Sequence, residues 1–293
     1  MNGGRRYATA GAFRHALEAR LQADARSGGL VLERLRKQVA FDRFLARLFP
    51  PATKTVAWVL KGGYALELRF EQARATRDID LTLAPGVIPA VPVEERREAL
   101  RSHLREFVMQ PSLDFFEFLV GRATHDLEGA PDGGFRYLVD AVVDGRSFAR
   151  FHVDIGIGDP VSPPFETLEG GAWLEFAGIA RPQFLALSCE QQWAEKLHAY
   201  TRPRETRPNS RTKDLVDLVL LIKFGALSVA RLKECVAETF ALRATHSVPT
   251  PLLPPPAEWK QVFARLAREA GIEPEIDRAF NVMSEFWDEV GGV

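Results

Sequence analysis

Asp78 and Asp80 are the two residues of this sequence best placed to do chemistry together. They lie in Asp-Ile-Asp-Leu-Thr-Leu, residues 78–83, an apolar run interrupted at every second position. Side chains alternate faces along a strand, so Asp78, Asp80 and Thr82 share one face, and Ile79, Leu81 and Leu83 turn to a core. Two carboxylates so close repel, and one keeps its proton unless a cation or hydrogen-bond donors hold both. A hard divalent ion, magnesium or manganese, suits such oxygen ligands, and magnesium commonly brings substrate phosphates with it.

The residues just upstream fit a phosphate. An apolar run, Val56 to Leu60, leads through Lys61 into Gly62-Gly63 and a short helical pattern. A helix start offers free backbone N–H groups and the positive end of a dipole, and glycine lets an anion approach closely. Arg69, Arg74 and Arg77 add positive charge to the same segment. Gly-Gly alone marks an ordinary turn, and an isolated Asp-x-Asp says little; the ordered combination is far more specific. Further on, Phe151 to Ile157 reads as a strand with His152 and Asp154 on one face. Asp154 is then either a third carboxylate meeting Asp78 and Asp80 or a polar residue on a solvated edge. His152 reads as structural.

The pattern Lys-Gly-Gly-Tyr-Ala-Leu, residues 61–66, followed by Arg-Asp-Ile-Asp-Leu, residues 77–81, resembles the first motif of the AbiEii-type nucleotidyltransferase-like toxins, within the polymerase β-like nucleotidyltransferase superfamily. The superfamily usually has Gly-Ser at the turn. Gly62-Gly63 lacks that hydroxyl but keeps the backbone donors. The resemblance runs from about Leu60 to Ile222 and implies a metal-dependent transfer of a nucleotidyl group from a nucleoside triphosphate (NTP) to an acceptor. Two magnesium ions about 3.5–4 Å apart are the usual arrangement for such in-line displacement. It implies Asp78 and Asp80 as metal ligands, with Asp154 as candidate third ligand. Lys61, Gly62, Gly63 and Arg77 would grip the nucleotide. A later helical lysine and a basic-Asp pair match Lys196 and Lys213-Asp214, with Lys196 on the phosphates and Asp214 orienting a cation; by themselves they read as a solvated lysine and a dipole-complementing carboxylate. The expected acceptor is RNA, the tRNA 3′ end, making the chain a translation-blocking toxin with a cognate antitoxin protein. Thr76, before the acidic pair, matches a regulatory phosphosite of some relatives. A metal-dependent phosphoesterase or nuclease, and a non-catalytic nucleotide-binding module, are the alternatives.

Composition sets the frame for this chemistry. The 293 residues are 46% hydrophobic and 26% charged with net charge −1, ordinary for a globular chain. No global basic field advertises nucleic acid, so any such partner meets a local patch. Arg202, Arg204, Arg207 and Arg211 form the one candidate patch for RNA phosphates, or else a solvated loop. Cys189 and Cys235 read as buried thiols. No apolar run reaches the ~18 residues of a membrane span, and a cytoplasmic location without membrane contact is expected.

The elements that must position the site follow from periodicity. Amphipathic helices are expected over Thr9–Asp24, Val31–Phe49 and Val93–Met109. Alternating strands follow between residues 113 and 157, with an Asp144-Gly145 hairpin turn. The second half reads as helical: Phe184–Thr201, one from Lys213, Ser228–Leu242, Ala257–Glu269 and Glu275–Val290. The expected fold is α/β in the mixed α+β sense: a nucleotidyltransferase-like mixed sheet flanked by helices, within residues 1–180. A helical C-terminal domain occupies residues 181–293.

Overall fold

Period-two runs of apolar residues assemble into one mixed sheet of seven strands, and the helical stripes cover its apolar face. The computed structural model describes residues 6–51, 56–88, 91–110, 112–127, 129–161, 163–204 and 209–291. Among these, α1 (Ala10–Gly28) and α2 (Leu32–Leu48) precede β1 (Trp58–Lys61), α3 (Gly62–Arg69) and β2 (Asp78–Leu83). Then come α4 (Val93–Val108), β3 (Glu117–Asp126), β4 (Gly134–Val143), β5 (Arg146–Ile157), β6 (Phe165–Glu169) and β7 (Gln183–Leu187). The chain ends in α5 (Cys189–Thr201), α6 (Thr212–Phe224), α7 (Val229–Arg243), α8 (Lys260–Glu269) and α9 (Ile276–Val290). Among these residues no helix is long and apolar enough to cross a membrane.

The strand order is β3-β4-β5-β2-β1-β7-β6. β2 runs antiparallel to β1 and parallel to β5, which places the acidic strand at the centre of the sheet. Ile79, Leu81, Val153 and Ile155 are fully buried on the apolar face. Helices α1, α2 and α4 cover that face, and the rings of Phe41 and Phe44 meet Phe151 edge-on at 4.9 and 5.5 Å. A second apolar cluster, built on α5 to α9, stacks Trp193 on Trp287 at 5.5 Å and takes in Leu66 and Ala73 from either side of the turn after α3. The helical region is therefore packed directly behind the glycine-led helix.

The Phe184–Thr201 helix expected from the sequence divides in two. Gln183–Leu187 is β7, with Phe184 and Ala186 buried, and it lies parallel to β1. The Ser188 side chain accepts from the Gln191 N–H at 3.2 Å and caps α5, which starts one residue later. That serine is an N-cap signal preceding the helical stripe. The sheet thus uses residues 183–187, beyond the boundary drawn at residue 180.

An unforeseen buried acid fixes the glycine-led helix from behind. Asp42 on α2 accepts from the Tyr64 hydroxyl at 2.5 Å and from the Gly171 N–H at 2.7 Å. Burial pushes its carboxyl up to about 6 against these donors. Its ionised form is disfavoured in the fold, so its contribution is intact below the unfolded value near 4 and is lost as pH rises through about 6. The difference of about two pKa units corresponds to about 3 kcal/mol. Urea unfolding of wild type and Asp42→Asn should therefore show the variant gaining relative stability, by up to about 3 kcal/mol, from pH 4 to pH 7. A pH-independent difference would contradict this.

Candidate active site

The register of four strands draws a line of charge across the polar face of the sheet. Lys61 on β1 is opposite Asp80 on β2, Asp80 is beside Asp154 on β5, and Asp154 is opposite Arg136 on β4. Asp78 lies one step along, beside His152. Asp80 is half-buried at the centre of this row, and its carboxyl is pushed up to about 7. Burial is the main cause, followed by the charge of Asp154 and, more weakly, Asp78; Lys196 and Lys61 oppose the rise. Asp78 has His152 Nδ1 at 3.4 Å and Arg136 Nη2 at 3.8 Å. Asp154 is engaged more tightly: Arg136 Nε and Nη2 donate to its two oxygens at 2.7 and 2.6 Å.

The glycine turn lies against these carboxylates with nothing between. Gly62 has φ +67, and a Cβ added there would come within 2.1 Å of Asp80 Oδ2. At Gly63 a Cβ would lie 2.8 Å from Thr76 Oγ1. The Thr76 hydroxyl thus stands over the space a side chain at Gly63 would need, and it donates to the Asp78 carbonyl at 3.3 Å. The Thr76 N–H donates to Glu67 Oε2 at 3.0 Å, which ties the turn before β2 to α3. Gly62→Ala is expected to lose more than tenfold in transfer activity and about 1–2 kcal/mol or more in stability, from the left-handed backbone and the collision with Asp80. Activity and thermal unfolding of the variant measure both; wild-type values in each would contradict the argument.

The cations are held in two buried networks. Lys61 Nζ reaches Asp159 Oδ2 at 2.5 Å and Glu195 Oε2 at 3.0 Å, and Arg243 Nη2 meets the same two acids at 2.6 and 3.4 Å. Lys196 Nζ lies 2.7 Å from Asp217 Oδ2 and 3.2 Å from Asp214 Oδ1. Arg74 grips Asp217 with Nε at 2.9 Å and Nη2 at 2.7 Å. Burial works against the charge on Lys61 and Lys196, but their acidic neighbours outweigh it and hold both lysines above their ordinary value. Arg77 is exposed in the turn before β2. In the arginine-rich loop, Arg211 Nη1 pairs with Asp214 Oδ2 at 3.4 Å, while Arg207 lies outside the described residues.

Of the residues singled out in the sequence, Asp78, Asp80 and Asp154 lie together on one sheet face, with Gly62 and Gly63 directly beside Asp80. Lys196 meets Asp214 across α5 and α6 and acts on Asp80 through its charge. Lys61 is directed to Asp159 and Glu195. Arg136, Asp159, Glu195, Asp217 and Arg243 are the members that the sequence did not disclose. Among the described residues no three His, Cys, Asp or Glu side chains are grouped to hold a metal ion, and both oxygens of Asp154 are occupied by Arg136. The remaining pair suits a divalent cation: Asp78 and Asp80 are hard oxygen donors. Asp80 carries a carboxylate that burial and its acidic neighbours disfavour.

Paired carboxylates on a central strand, set against a glycine-led helix start, are the arrangement expected of a nucleotidyltransferase. Residues 43–284 match the family described as Nucleotidyl transferase AbiEii toxin, Type IV TA system, and the chain belongs to that family. Among solved structures, it is similar to MenT4, a nucleotidyltransferase toxin from Mycobacterium tuberculosis H37Rv, at 16% identity and a TM-score of 0.46, covering 91% of this chain and 98% of that one. It is also similar to JHP933 from Helicobacter pylori, at 14% identity and a TM-score of 0.44, covering 89% and 97%. No curated protein matches the chain.

Proposed function

We propose that this nucleotidyltransferase toxin moves a nucleotidyl group from an NTP to an RNA acceptor, the tRNA 3′ end, in a metal-dependent reaction that blocks translation, and that a cognate antitoxin protein neutralises it. The observation that carries this reading is the direct contact between Gly62 and the Asp80 carboxylate. A polyphosphate received by the N–H groups at the start of α3 lies immediately beside the acidic pair. Asp78 and Asp80 would hold magnesium or manganese. When bound, the ion neutralises charge on the polyphosphate and on the attacking oxygen. The Gly62-Gly63 backbone orients the phosphates, and Lys196, fixed by Asp214 and Asp217, supplies positive charge that offsets the charge developing in transfer. Arg77, exposed at the rim, is a candidate for the outer phosphates.

The test is incubation of total tRNA with each labelled NTP and divalent ion. Gain of label on tRNA supports the reading. Shortening of the RNA without label supports a nuclease, and no change in either rejects both.

Thr76 supplies a regulatory expectation. Its hydroxyl adjoins Gly63 and the backbone of Asp78, and a phosphate there would bring about −1.5 to −2 charges beside the acidic pair and into the space of the nucleotide. Thr76→Glu should lower transfer about tenfold or more, the effect of about 1.4 kcal/mol of repulsion. A fully active Thr76→Glu, measured in the same label-transfer assay, would count against regulation at this residue.

A further inference from the structure

Of the basic side chains around the acidic row, Lys61 and Lys196 are each tied to two carboxylates outside it. Arg136 is tied inside it. It faces Asp154 across the β4–β5 ladder, takes both oxygens of that carboxylate in a forked pair at 2.7 and 2.6 Å, and leaves Nη2 only 3.8 Å from Asp78. One guanidinium therefore neutralises the third carboxylate and leans on the first. Unlike Arg74, whose side chain is 9% exposed in its pair with Asp217, the Arg136 side chain is 32% exposed. Asp154 is 13% exposed, but the guanidinium side of the pair is open to solvent, so Arg136 can turn to another anion. A divalent cation and a guanidinium cannot both take the two oxygens of Asp154, so they compete for it.

We propose that Arg136 is a positioning residue that withholds Asp154 from divalent cations, confining cation binding in the nucleotide-free protein to Asp78 and Asp80. This rests on the reading of Asp78 and Asp80 as cation ligands. The planar fork of Arg136 matches a phosphate as well as it matches a carboxylate. A polyphosphate seated at the Gly62-Gly63 turn gives it an alternative anion and releases Asp154.

Manganese titrations of the nucleotide-free protein, following free Mn2+ by electron paramagnetic resonance at fixed pH and ionic strength, test this without any turnover. Arg136→Gln should bind Mn2+ about fivefold more tightly than wild type, the competition expected from one displaced ion pair, and the gain should vanish in Arg136→Gln with Asp154→Asn. Arg136→Lys, which keeps the charge but not the fork, should show a smaller gain. Asp154→Asn alone should weaken Mn2+ binding far less than Asp80→Asn does, since Arg136 already occupies both oxygens of that carboxylate. If Arg136→Gln does not fold, the gain in Arg136→Lys and its disappearance in Arg136→Lys with Asp154→Asn decide the matter. Unchanged or weaker binding in Arg136→Gln, a gain that survives Asp154→Asn, or a loss in Asp154→Asn alone as large as that in Asp80→Asn overturns the proposal. Mn2+ affinity that is the same in Asp80→Asn as in wild type overturns the reading beneath it, whereas a normal loss in Asp80→Asn with an unaltered Arg136→Gln overturns the proposal alone.

Discussion

Asp80→Asn should lower label transfer by about a hundred- to a thousandfold, the scale of removing one preorganised electrostatic group from a transfer site, while the protein unfolds no more easily than wild type. The two halves of this result have one cause. Asp80 is recessed at the centre of the charged row, burial and the charges of Asp154 and Asp78 push its carboxyl up to about 7, and no hydrogen bond from the described residues satisfies it. Above that pH the fold carries an ionised group it disfavours. An amide of the same shape removes that penalty, so activity and stability move in opposite directions, as they do where a site is strained for function. Thermal unfolding at pH 8 without divalent ions, beside the transfer assay, reads both quantities. A variant that loses activity by losing its fold would show instead that Asp80 is a structural acid, and retained transfer would remove it from the site altogether.

Asp217→Ala should destabilise the protein by about 3–5 kcal/mol, the cost of stranding buried charge by removing one partner. Asp217 is 1% exposed and holds two cations at once, Arg74 from the segment before β2 and Lys196 from α5. Burial acting alone would push its carboxyl up, but Lys196 and Arg74 outweigh it and hold it below the usual range. Without it, Arg74 and Lys196, with side chains 9% and 11% exposed, would be left with the charges of Asp214 and Asp80. The loss also frees Lys196 from the position in which its charge acts on Asp80, so transfer should fall with stability. Urea unfolding gives the first quantity; a change under about 1 kcal/mol would mean that these charges are solvated as at a surface and that the network joins nothing.

The acidic strand and the glycine turn were legible because their geometry is local. Alternation alone puts Asp78 and Asp80 on one face, and a two-residue turn sets Gly62-Gly63 at the helix start. Asp154 was half legible: its strand and face could be read, its neighbours could not. Arg136 was hidden for a definable reason. Counting back from the Asp144-Gly145 turn pairs Val142 with Ser147, and continuing at that spacing would set Arg136 opposite Val153. The ladder instead pairs Ala141 with Ala149, so β5 carries an extra residue at Phe148, and this bulge moves Arg136 opposite Asp154. A single-residue slip exchanges the faces of a strand, and no local signal announced it. Asp217 had a signal, three residues after Asp214 on the same helix face, but its partner Arg74 is 143 positions away in sequence. The β7 strand was absorbed into a helix because four apolar residues, Phe184 to Leu187, before a capped helix fit either period.

Strand β7 has a consequence for how the two halves of the chain can part. It lies beside β1, the strand that delivers Lys61 and the glycine turn, and β6 in turn lies beside β7. Only Ser188 separates β7 from the first residue of α5. A fragment ending at residue 180 would therefore leave one margin of β1 without its hydrogen-bonding neighbour, inviting a foreign strand to add there. The helical half is sewn into the catalytic sheet by its own leading edge, and neither half is a detachable cassette.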